Sequence, residues 1–78
     1  MELHTLAPNR TELHIGHPKT IIFFSYNTPV AVYTYADGKY YRTEQRYSVT
    51  TSKHITQWLN GNEAETKPQS FFDSLVKG

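Results

Sequence analysis

Residues 20–43 read TIIFFSYNTPVAVYTYADGKYYRT, and the predicted architecture follows mainly from this segment. It holds three runs rich in β-branched and aromatic residues, 20–26, 30–35 and 39–43. Two turn signals separate these runs: Asn27-Thr28-Pro29, and the strong hairpin signal Asp37-Gly38. The segment therefore predicts three consecutive antiparallel strands.

The alternation of side chains in these strands predicts which face of the sheet is buried. A two-residue loop at Asp37-Gly38 would place Tyr35 opposite Tyr40 and Tyr33 opposite Arg42. One face would then carry Ala31, Tyr33, Tyr35, Tyr40 and Arg42, and the other Val30, Val32, Thr34, Tyr41 and Thr43. Because valines pack well on a pleated surface, we expect a buried valine face and an open tyrosine face.

The flanking segments add a hairpin and a helix. Pro8-Asn9 suits the centre of a turn, so residues 2–7 and 11–15 are predicted to pair. Residues 47–49 are a candidate final strand. Residues 53–60 predict a helix with its N-cap among residues 50–52 and its end at Gly61. Ile55, Trp58 and Leu59 form its apolar stripe, which should seal the valine face, with Trp58 as the largest apolar contribution.

We therefore predict one α+β domain over residues 1–61. It would contain four or five antiparallel strands with the helix over residues 52–60 packed on one face. Residues 62–68 are polar and acidic, which indicates a linker, and residues 69–78 predict a short C-terminal helix or arm. Phe71, Phe72 and Leu75 would either fold back onto the core or join two copies in a homo-oligomer.

The composition excludes several classes of protein. The 78 residues include no cysteine, which excludes a disulfide framework and favours a reducing, cytoplasmic location. The longest strongly apolar run falls far short of the ~20 residues of a membrane span, so no membrane partner is expected. The chain shows no nucleophile elbow and no phosphate-binding P-loop. We expect a non-enzymatic protein without a cofactor.

The histidines near the first hairpin could suggest a metal site. His14 and His17 have a ligand-like spacing, and His4 lies on the paired strand. The turn at Pro8-Asn9 would place His4 opposite Leu13 rather than His14. Because the rings would not converge, no metal is predicted.

Basic and aromatic residues concentrate in the second half of the sheet. The net charge is only +1, yet Lys39, Arg42, Arg46 and Lys53 fall close together. Beside the tyrosines they could bind single-stranded nucleic acid by stacking and phosphate contacts. Tyr and Arg are equally the favoured anchors of protein interfaces. A third interpretation is that the tyrosines pack beneath another segment of the chain.

The run Thr50-Thr51-Ser52-Lys53-His54 is the sharpest local cluster. Hydroxyls and free amides at a helix start, with two basic side chains, could cradle an anion or phosphate. The alternative is an ordinary helix cap with solvated neighbours. The candidate binding residues are Tyr33, Tyr35, Lys39, Tyr40, Arg42, Arg46, Thr50, Thr51, Ser52, Lys53 and His54.

The segments FFSYNTPVAVY, DGKYYRT and YSVTTSKHITQWL resemble a family of small uncharacterised proteins of tailed phages and bacteria. That family shares F-x-S-Y-x-T-P-V-A, G-K-x-Y-x-T and Y-S-x-T-T-S-[KR]-H-I-x-x-[WF]-L, and the match covers residues 22–59. It points to Ser25, Tyr26, Thr28, Pro29, Tyr41, Thr43, Tyr47, Ser48, Thr50, Thr51, Ser52, Lys53, His54 and Ile55. The resemblance implies a phage-type accessory protein that engages or inhibits a host or defence protein. A nucleic-acid-binding module is the alternative.

Overall fold

The structure, a computed structural model, describes residues 2–16 and 19–76 and contains a six-stranded sheet with a helix on each face. The elements are β1 (Glu2–Ala7), β2 (Arg10–Ile15), β3 (Thr20–Ser25), β4 (Thr28–Thr34), β5 (Lys39–Thr43), α1 (Val49–Leu59), β6 (Ala64–Lys67) and α2 (Gln69–Val76). Strand order follows chain order; β1 to β5 are antiparallel neighbours, and β6 is parallel to β5. The α+β class is confirmed, but the predicted antiparallel sheet is a mixed sheet of six strands.

Strand β6 replaces most of the predicted linker at residues 62–68. Its sequence, AETK, has no apolar alternation because it is an edge strand, and only Ala64 packs against the core. A parallel pair requires a crossover connection, which α1 supplies between β5 and β6. The prediction of a strand at residues 47–49 is wrong, since Val49 is already the first residue of α1.

The first hairpin turns at Pro8-Asn9 as predicted. Ala7 pairs with Arg10, and Asn9 has a φ of 64°, the left-handed conformation that asparagine tolerates. A bulge between Thr5 and Ala7 then shifts the register by one residue. The residues of β1 before the bulge therefore lie opposite different residues of β2 than the turn alone predicts, and His4 faces Glu12 instead of Leu13.

The second hairpin turns at Asp37-Gly38, but its loop has four residues. Thr34 pairs with Lys39, so residues 35–38 form the loop, and Gly38 has a φ of 64°. The Asp37 carboxylate accepts hydrogen bonds from the Thr34 hydroxyl, the Lys39 amide and the Tyr41 hydroxyl. These contacts fix the wider loop and lower the pKa of Asp37, with the Thr34 bond as the main cause.

The wider loop moves the β4–β5 register by two residues, an even shift that leaves the paired residues 31–34 and 39–42 on their predicted faces. Tyr33 now lies opposite Tyr40 rather than Arg42. The prediction that the helix carrying Trp58 seals the valine face is wrong. Helix α1 packs on the face of Ala31 and Tyr40, and α2 packs on the face of Val32 and Tyr41. Since both faces of the sheet are covered, alternation alone could not assign the helices.

Val30 departs from the predicted alternation. Phe23 pairs with Ala31 and Phe24 with Pro29, so a register shift leaves Val30 as the extra residue of β4. Val30 is buried in the cluster beneath α1, together with its neighbour Ala31. The valines are therefore divided between the two cores.

Helix α2 is part of the domain rather than a free arm. Phe72 is fully buried against Ile22, Val32 and Tyr41, with Phe71 and Leu75 packed around it. Of the two alternatives for Phe71, Phe72 and Leu75, the structure has the one in which they fold back onto the core, and Phe72 has no exposed surface for a contact with a second copy. Trp58 is only partly buried, so Phe23 and Phe72, not Trp58, are the largest fully buried side chains among the described residues. Neither α1 nor α2, which are the helices of the described chain, has the length and apolar character of a membrane span.

Candidate functional site

An aromatic cavity of about 370 Å³ opens on the α1 side of the sheet. It is lined by Glu12, Ile21, Tyr33, Tyr35, Tyr40 and Trp58. Ile21, Tyr33 and Tyr40 are cross-strand neighbours on β3, β4 and β5, so they lie side by side on one face of the sheet. Trp58 projects from the last turn of α1. Three of the predicted binding residues are thereby brought together.

The rings of this aromatic cavity hold one another in place. The ring centroids of Tyr33 and Tyr40 are 4.5 Å apart, and those of Tyr33 and Tyr35 are 5.0 Å apart at 77°. Tyr40 meets Trp58 at 5.7 Å and 76°, while Trp58 stacks on Phe23 at 5.1 Å. Edge-to-face contacts of this kind favour fixed orientations. The cavity is therefore preorganised by its own aromatic packing.

Glu12 contributes the carboxylate of the aromatic cavity and was not among the predicted residues. Its Oε2 accepts a hydrogen bond from Trp58 Nε1 at 2.6 Å, and its Oε1 lies 2.9 Å from His14 Nε2. The side chain is only 19% exposed. It belongs to the site because β2 places it opposite Phe23, beneath Trp58. No local motif marks such a cross-strand position.

The histidines come closer together than the sequence predicted. The bulge in β1 pairs His4 with Glu12 instead of Leu13, and the rings of His4 and His14 lie 4.3 Å apart. Across residues 2–16 and 19–76, no three histidine, aspartate or glutamate side chains are arranged to hold a metal ion. His17, the remaining residue of the candidate metal motif, lies outside the described residues.

The predicted arginines line a different cavity, which we call the basic cavity. Arg42, Arg46, Thr51 and Ser52 all contribute to this space of about 430 Å³ between β5 and the start of α1. Glu44 lies in the same lining and offsets part of the positive charge. Lys39 lines a third cavity beside Gly38 and Asn62. The continuous tyrosine-arginine surface predicted from the sequence is thus divided among three cavities.

The predicted anion cradle at residues 50–54 lies within the helix rather than at its cap. Ser48 is the N-cap, and its hydroxyl accepts from the Thr51 amide at 3.1 Å. Helix α1 therefore begins at Val49, about one turn before the predicted start at residue 53. Thr51 and His54 point toward β3, while Thr50, Ser52 and Lys53 are exposed. The five side chains do not converge on one point.

His54 and Ser25 form a partly buried polar contact between α1 and β3. The Ser25 hydroxyl lies 2.8 Å from His54 Nδ1 and 3.2 Å from the Thr51 hydroxyl. Burial lowers the pKa of His54, and the positive charge of Arg10 lowers it further. Both effects disfavour the protonated form of the ring. Ser25 is only 2% exposed, so the contact joins two elements instead of facing solvent.

Comparison with known proteins adds a family but no activity. No curated protein and no solved structure matches the chain significantly. A model described as "Family of unknown function (DUF8033)" matches residues 1–74. This agrees with the resemblance to an uncharacterised family drawn from the sequence. The chain belongs to the DUF8033 family.

Proposed function

We propose that the protein is a non-enzymatic binding protein that takes up a segment of another protein in the aromatic cavity. The observation that carries the proposal is the cluster of Tyr33, Tyr35, Tyr40 and Trp58 around one concave surface. Tyrosine and tryptophan are the commonest anchors of protein interfaces. Here the rings pack on one another, and the orientations that these contacts favour would reduce the entropy lost on binding.

The exposure of the rings favours a macromolecular ligand. Tyr35 is 51% exposed at the rim, while Tyr33 and Tyr40 are partly buried beneath it. Small-molecule sites usually enclose most of their ligand's surface. A rim tyrosine of this kind instead offers a flat contact to a partner's surface.

The Ser25–His54 contact supports a binding role over a hydrolytic one. A serine nucleophile needs access to substrate and a histidine oriented by a carboxylate. Ser25 is buried, and within the described chain no carboxylate is hydrogen-bonded to the other ring nitrogen of His54. The positively charged Arg10 beside the ring would oppose the imidazolium that such a mechanism needs.

The target follows from the resemblance rather than from the geometry. A phage-type accessory protein would act in the host cytoplasm on a host or defence protein, by occupying or blocking it. The second candidate is nucleic-acid binding, favoured by Arg42 and Arg46 in the basic cavity. That binding would weaken steeply with added salt and with loss of either arginine.

The test compares capture of a host protein by two tyrosine variants. Tyr35→Ala should abolish or strongly reduce capture, because it removes an aromatic anchor at the rim. Tyr26→Ala is the matched control: Tyr26 is 48% exposed but does not line the aromatic cavity. Equal capture by both variants would refute the site. A low-salt mobility shift that disappears in Arg42→Ala would favour the second candidate instead.

A further inference from the structure

We propose that the group entering the aromatic cavity is a positively charged side chain, lysine or arginine, of the partner protein. This inference rests on the proposed function and specifies the chemistry of its partner. It is carried by the charge of the lining, by the rings and by an ammonium group that already lies against one of them.

Glu12 is the one charged residue among the six that line the aromatic cavity. Its side chain is 19% exposed, so its charge is less screened by water and salt than that of a surface carboxylate. Trp58 and His14 each occupy one site on its two oxygens. A carboxylate offers about four lone-pair sites, so Glu12 can accept further hydrogen bonds from a cation.

The tyrosine rings also attract a cation. The electron-rich face of an aromatic ring attracts ammonium and guanidinium groups within about 6 Å of its centroid. The Lys19 ammonium lies 5.8 Å from the centroid of the Tyr35 ring. The chain itself therefore shows that a cation approaches this rim. A partner's cation entering beside Glu12 would compete with Lys19 for Tyr35.

The same lining disfavours a phosphate. Glu12 would repel an anion, and the arginines lie in the separate basic cavity. A nucleic acid stacked on these tyrosines would bring its phosphates close to a poorly screened negative charge. The aromatic cavity and the basic cavity thus select ligands of opposite charge.

The experiment uses the full chain, four amino-acid probes and inorganic phosphate. Nα-acetyl-arginine amide and Nα-acetyl-lysine amide carry the cation, while the citrulline and norleucine analogues are their neutral counterparts. The chain has a single tryptophan, so the Trp58 indole N–H gives one resolved NMR signal at the Glu12 contact. We expect the cationic probes to shift this signal in a saturable, salt-sensitive manner. The neutral probes and inorganic phosphate should leave it in place.

Three variants test the assignment of charge. Glu12→Gln keeps an oxygen acceptor for Trp58 and should weaken the cationic probes roughly tenfold. Asp73→Asn, which changes a carboxylate on α2, is the matched control and should bind like the wild type. Lys19→Gln removes the competing ammonium and should tighten binding. Thermal unfolding of each variant checks that the fold is retained.

Equal shifts from charged and neutral probes, unchanged binding by Glu12→Gln, or a shift with phosphate would each overturn the inference. Its failure remains distinguishable from failure of the proposed function. If capture of a host protein depends on Tyr35 but not on Glu12, the proposed binding role is retained, and only the inference that a cationic side chain enters the cavity is refuted. Capture that depends on neither residue would refute both.

Discussion

Ser25 on β3 and His54 on α1 are 29 residues apart in sequence, yet the Ser25 hydroxyl and His54 Nδ1 lie only 2.8 Å apart where the helix meets the sheet. The contact continues through the Thr51 hydroxyl to the Ser48 cap. A line of polar groups therefore connects the end of β3 to the first two turns of α1. Several measurable properties depend on this connection.

The first prediction concerns pH. His54 has a lowered pKa in the folded state, caused first by burial and then by Arg10, with the Tyr26 ring also against it. The unfolded chain therefore binds the proton more readily. Stability is fully present above the ordinary histidine pKa of about 6.5 and decreases as the pH falls through the lower folded value.

Urea unfolding at pH 7.5 and pH 5 measures this loss. His54→Asn replaces Nδ1 with an amide that does not titrate, while the remaining histidines and carboxylates are common to both proteins. The wild type should lose more stability than the variant over this interval. An equal loss in the two proteins would show that His54 does not contribute.

The second prediction concerns the hydroxyl of Ser25. Ser25→Ala leaves the partly buried His54 ring and the buried Thr51 side chain without this partner, at a cost of about 1–3 kcal/mol in the free energy of unfolding. Ser52→Ala is the matched control, because Ser52 is exposed on α1 and should change stability by less than about 0.5 kcal/mol. Chemical denaturation compares them. Similar values for the two variants would contradict a structural role for the contact.

The third prediction concerns α2. Phe72 is fully buried, so Phe72→Ala should cost about 3–5 kcal/mol, a large share of the stability of so small a domain. Val76 is 39% exposed in the same helix, and Val76→Ala should cost well under half as much. A small effect at Phe72 would indicate that α2 does not dock on the sheet in solution.

The fourth prediction concerns the second hairpin. Gly38 has a φ of 64°, whereas a Cβ added there would meet only the Tyr33 hydroxyl at an ordinary 3.9 Å. Gly38→Ala should therefore destabilise by about 1 kcal/mol through backbone strain alone. Gly38→Asn should cost less, because asparagine tolerates this conformation. Thermal unfolding ranks the two, and the reverse order would exclude the left-handed turn.

The positions of the two turns could be predicted from the sequence, but the register of the strands beyond each turn could not. Pro8-Asn9 and Asp37-Gly38 both turn the chain where predicted, because their conformational preferences lie within the turn itself. The bulge before Ala7 and the wide loop held by the Asp37 side chain changed the register beyond each turn. Such shifts arise from contacts that a pattern of single residues does not encode.

The candidate site was predicted in part for the same reason. Tyr33 and Tyr40 share a face under either register, so their clustering follows from alternation. Glu12 joins them only through the pairing of β2 with β3, and Arg42 is separated from them by the placement of α1. With helices on both faces, neither placement follows from the strand pattern.

The exposed position of β1 at the edge of the sheet has a consequence for local unfolding. Glu2 to Leu6 are exposed and β1 pairs only with β2, whereas Ile22, Phe23, Val30 and Val32 are fully buried in β3 and β4. Native-state hydrogen exchange should therefore divide the sheet into a fast-exchanging margin and a slow centre. Because no residue of β1 belongs to either core cluster, we expect β1 to separate from β2 and pair again without disturbing the two cores.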